Sequence, residues 1–90
     1  MNITWFIQEI DKINFGIVSF NTYRLNNENC FYLMVAERGN FGKFFKTEGN
    51  IDILNDLLND LLKEILLQIK IESEKHQRKK EFNCNWKQKY

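Results

Sequence analysis

Ninety residues, 43% apolar and 28% charged with a formal net charge of +1, describe one globular domain. That balance excludes both a disordered chain and a second hydrophobic core. The charge is divided: residues 1–69 hold six Lys/Arg against nine Asp/Glu, and residues 70–90 hold seven against three. The expected organisation is a mildly acidic α+β domain over 1–72 and a basic aromatic tail over 73–90.

The first segment, Met1 to Glu9, lacks the basic start and apolar run of a signal peptide. No stretch approaches the roughly eighteen apolar residues that span a bilayer. Cys30 and Cys84 are far apart and form no C-x-x-C pair, which suits free thiols rather than a disulfide framework. A cytoplasmic protein without a membrane segment is expected. Within the first segment Ile3, Trp5 and Ile7 alternate with Thr4 and Gln8, which predicts a short strand.

Phe15 to Leu25 is a longer β-branched and aromatic run, closed by the turn cluster Asn26-Asn27-Glu28-Asn29. Cys30 to Ala36 is the most apolar strand and the expected centre of the sheet. Arg38-Gly39-Asn40 makes the next turn, and Phe41 to Thr47 completes an antiparallel meander of three to four strands. Asn50 is a plausible N-cap, with Asp52 near the positive end of the helix that follows. From Ile51 to Ile69 the apolar residues recur every three or four positions and cover about half the circumference. One face of this long C-terminal helix should pack on one face of the sheet. The surplus, with Leu62 and Leu66 as contacts, predicts a homodimer or a partner chain. Opposite runs a carboxylate row, Asp52, Asp56, Asp60 and Glu64, readable as a solvated face or as an anionic stripe for a basic partner. Beyond residue 70 the apolar residues thin out and the helix is expected to fray into the tail.

Catalytic patterns are missing. The single histidine, His76, lies in the polar end of the helix, and neither it nor Cys30 has an orienting third group. One histidine and two scattered cysteines match no zinc spacing. Gly39-Asn40-Phe41-Gly42-Lys43 has two residues between its glycines and Phe44 after the lysine, so it is a hairpin and not a phosphate loop. The reading is a non-enzymatic binding protein without metal, cofactor or small-molecule substrate.

Aromatic and basic residues interleave on the adjacent strands. Rings that stack bases beside cations that track a phosphate backbone are the chemistry of single-stranded nucleic-acid binding. In the last strand Phe44 and Lys46 share one face, and Lys43 and Phe45 share the other. Phe31-Tyr32-Leu33-Met34-Val35 followed by Gly42-Lys43-Phe44-Phe45-Lys46-Thr47-Glu48 resembles the PUR-alpha repeat, a whirly-like domain that binds single-stranded DNA and RNA. The resemblance spans residues 31–48. It departs from the family pattern in a longer turn and in Met34, where the family carries an acid. It implies four antiparallel strands plus a helix, dimerisation, and a binding strand carrying Lys43, Phe44 and Lys46 beside Tyr32. With Arg24 and Arg38 these form the candidate nucleic-acid set. The second reading is a protein-interaction module, an inhibitor or adaptor of the kind mobile elements and phages carry. It would act through Leu62, Leu66, Asp56 and Asp60 of the helix, and through Trp86 of the tail. The sequence leaves both readings open.

Overall fold

The structure is a computed structural model that describes the backbone of residues 2–88 and the side chains of residues 2–75. The chain opens with helix α1 (Ile3–Lys12), not the expected strand. The Asn2 side chain caps it by accepting the Trp5 amide at 2.9 Å. Its buried side chains, Phe6 and Ile10, are one helical turn apart. Read as Ile3, Phe6, Ile10 and Ile13, the segment has a helical period. The Ile3-Trp5-Ile7 alternation is incidental, and Ile7 faces solvent. Asn14 then takes a left-handed conformation (φ 66°) and turns the chain into the sheet.

Three strands follow: β1 (Phe15–Leu25), β2 (Glu28–Glu37) and β3 (Asn40–Asn50). They pair antiparallel in the order β1-β2-β3, so the most apolar segment is central. Asn26 and Asn27, both with positive φ, form the two-residue turn between β1 and β2. Gly39, with φ 82°, serves the second turn after Arg38. There is no fourth strand among the described residues. Ile51–Ile53, expected as the first turn of the long helix, forms a single 3-10 turn with Asn50 as its cap, the Asn50 side chain accepting the Asp52 amide at 2.8 Å.

Helix α2 runs from Leu54 to Gln88, so its backbone continues through the segment expected to fray. The buried core joins Phe6, Ile10, Phe15, Phe31, Leu33 and Val35 to Leu58, Leu61, Leu62 and Ile65. Two helices therefore share one face of the sheet, which makes the domain a two-layer α+β sandwich. The second helix also answers for the wide leucine face of α2. Leu62, expected as a self-association contact, is only 8% exposed and sits in the same cluster as Phe6 and Ile10.

Candidate interface on the open sheet face

Register assigns every strand residue to a face. Phe31, Leu33 and Val35 of β2 lie under the helices, with Ile17 and Phe20 of β1 and Phe45 of β3 opposite or beside them. The alternate residues form the open face, which no described residue of the helices covers. A bulge at Val18 keeps β1 in step, and the face is built of four cross-strand rows. These rows are Gly16–Ala36–Phe44, Ser19–Met34–Lys46, Asn21–Tyr32–Glu48 and Tyr23–Cys30–Asn50.

Three of the six nucleic-acid candidates, Tyr32, Phe44 and Lys46, meet on this face. Phe44 is half exposed and Lys46 is exposed, two residues apart on the edge strand, while Tyr32 is partly buried on the central one. Lys43 lies on the other side. Its ammonium reaches Glu37 of β2 at 3.1 Å and hydrogen-bonds Glu72 of α2. That bond, and then Glu37, raise the Lys43 pKa above its ordinary value against the cost of desolvation, and the same bond lowers that of Glu72. Lys43 thus ties α2 to the sheet. The alternation of β3 had separated Lys43 from Phe44 but held no information on which face the helices would cover. Arg38, in the second turn, pairs with Asp11 of α1. Arg24 alternates away from Tyr23, and its guanidinium donates to the Asn27 carbonyl at 3.4 Å beside a shallow hollow of about 370 Å³.

In the two middle rows of the open face the charges balance, Lys46 against Glu48, while Arg38, already paired with Asp11, lies beside Gly16 at the groove end. Among the described residues neither Lys46 nor Glu48 has an opposite charge within ion-pair distance. Tyr23 shares the face with Glu48. Partial desolvation, and then the Glu48 carboxylate, raise the Tyr23 phenol above its ordinary pKa. Sequence reasoning passed over two features. One is Tyr23 itself, left outside the candidate set. The other is a groove of about 410 Å³ at the far end of the face, between Gly16, Val18, Ala36, Gly39 and Phe41, with the Arg38 side chain in its wall. Phe41, which forms one wall, is 74% exposed. The small residues at 16 and 36 were the available signal for the groove. Cys30 is a buried free thiol beneath this face.

Of the helix candidates, Asp56 and Asp60 are exposed, as are Asp52 and Glu64 of the same row. Leu66 is 45% exposed, with Leu67 and Ile71 exposed near it. Trp86 lies outside the described side chains. Among the described residues no three His, Cys, Asp or Glu side chains converge as metal ligands would, and no helix is long and apolar enough to cross a membrane. Comparison with protein-family models, curated proteins and solved structures finds no match to this chain, so its functional reading rests on the geometry of the open face.

Proposed function

We propose that this chain is a non-enzymatic binding module of the cytoplasm, that its working surface is the open face of the sheet, and that its partner is a protein surface. One observation carries the reading. Among the described residues one sheet face stays uncovered by the two helices and is floored by rings and small side chains, with Lys46 balanced by Glu48 and Arg38 already paired at its end. Rings and small residues at the centre with few charges are the make-up of protein contact surfaces, whereas nucleic-acid surfaces concentrate cations. Of the four cations first grouped as a phosphate-tracking set, Arg38 and Lys43 are engaged with carboxylates on the helices. The buried free thiol of Cys30 is consistent with a reducing compartment.

A second reading keeps one specific observation in its favour: Tyr32, Phe44 and Lys46 lie together, two rings beside a cation. Single-stranded nucleic acid would stack on those rings with Lys46 at a phosphate.

A photo-crosslinking residue in place of Phe44, activated in cells, separates the two readings. The expected adducts are polypeptide and survive nuclease treatment. Adducts that nuclease removes, together with oligonucleotide affinity that falls steeply with salt, would establish the second reading instead. A crosslinker at this position that captures neither would remove the open face as the working surface.

A further inference from the structure

We infer that the partner of the open face is a second copy of this chain, packed sheet on sheet about a two-fold axis that crosses the strands between the Lys46 row and the Glu48 row. The inference rests on the protein-partner reading above and names its partner.

The argument is one of self-complementarity. An isologous contact brings the same surface together twice, so each residue must suit the residue that the axis sets opposite it. An axis between the two middle rows exchanges them and exchanges the two outer rows. Lys46 then faces Glu48 of the second copy, and Glu48 faces its Lys46. Two ion pairs form from residues that have no ion-pair partner among the described residues of the single chain. Met34 lies over Tyr32 and Tyr32 over Met34, a contact between a thioether and a ring that is favourable in itself. In the outer rows Tyr23 faces the row of Gly16 and Ala36, beside the groove that the Arg38 side chain shares. No other axis across these rows satisfies both charges, since an axis through either row sets like against like.

The size of the contact sets its strength. Three strands about 4.8 Å apart and a row-to-row length of roughly 20–25 Å give a patch of about 350 Å² per copy, below the roughly 1,200 Å² total at which stable interfaces begin and in the range of weak, transient contacts. Aligned sheets pack at roughly −30°, which preserves the central pairs and loosens the corners. A weak, reversible dimer is therefore expected.

The test uses charge reversal on the full chain. Sedimentation of the wild type at tens of micromolar should give about twice 10.9 kDa and return to the monomer on dilution. Lys46→Glu sets glutamate against glutamate twice, and Glu48→Lys sets lysine against lysine twice. Each variant alone should be shifted at least tenfold towards monomer. An equimolar mixture should recover the dimer, because the reversed position 46 of one chain then meets the reversed position 48 of the other with opposite charge. Recovery also shows that both variants are folded. A wild type that stays monomeric through hundreds of micromolar overturns the inference. So does a dimer that neither reversal weakens, or a mixture no stronger than its components. A monomeric wild type whose position 44 still crosslinks to other polypeptides would overturn the second copy while leaving the protein-partner reading standing.

Discussion

The hydrophobic core is decided by a few side chains whose neighbours leave them no alternative place. Leu58 and Phe6 are fully buried in one cluster, the first from α2 and the second from α1. Truncating either opens a cavity that the surroundings only partly fill. Leu58→Ala should cost about 2–5 kcal/mol and Phe6→Ala about 3–5 kcal/mol in denaturant titrations. A Phe6 value under about half a kcal/mol would mean that α1 is not docked on the sheet. At this scale the sequence was readable where chemistry alone fixes the outcome. Leu58 and Leu61 stood in the middle of a helical stripe, Cys30 in the most apolar strand, and Asn50 at a capping position before the leucines. Lys43 was not readable in the same way. Its placement depends on which sheet face two distant helices choose, and alternation within one strand carries no information about that choice.

Between elements, the misread segment explains the largest difference between sequence and structure. Taken as a strand, residues 3–7 left the broad apolar face of α2 without a second neighbour, and Leu62 looked free to meet another molecule. As α1, the same residues supply that neighbour. The error came from weighing a two-residue alternation over five positions above a three-to-four-residue spacing over eleven, from Ile3 to Ile13.

Lys43 is the clearest joint between elements, because it reaches from β3 to carboxylates on β2 and α2. With Glu72 nearly half exposed, solvent screening keeps its worth to that of a surface pair. Lys43→Ala should therefore destabilise measurably, but by much less than either core truncation. Its pH dependence follows from the two shifts. The Glu72 pKa is lowered in the folded state, so its share is present above the ordinary carboxylate value of 4.5 and is lost as pH falls through the depressed folded value. The Lys43 pKa is raised, so its share is present below 10.5 and is lost as pH rises through the raised value. The stability difference between wild type and Lys43→Ala should therefore be flat through neutrality and shrink towards both extremes. A difference that grows on acidification would assign the stabilisation to another pair.

The whole molecule is elongated, 68 × 23 × 22 Å, because α2 alone accounts for about 52 Å at 1.5 Å per residue. The last described contacts between α2 and the body are Ile69 in the core cluster and Glu72 on Lys43. The fold class was legible at this scale because a β half and a helical half meet at one boundary, near Gly49. The strand count was less so, since four strands and three strands with an extra helix have similar composition.

Order along the chain has a kinetic consequence. Each strand of the meander pairs with its sequence neighbour, so loop closure is short for both hairpins, and the costly closure is the one that brings Phe6 to Leu62, more than fifty residues away. The chain contains no proline, so the isomerisation that holds many proteins for roughly 10–100 s during refolding has no peptide bond on which to act. Stopped-flow refolding at concentrations too low for self-association should finish in a single phase on the order of milliseconds to a second. It should leave no amplitude at tens of seconds, whatever the time spent unfolded. A slow phase that lengthens with the unfolded delay would require some barrier other than proline. With none, the slowest step left is the long closure that brings α1 and α2 together on the sheet.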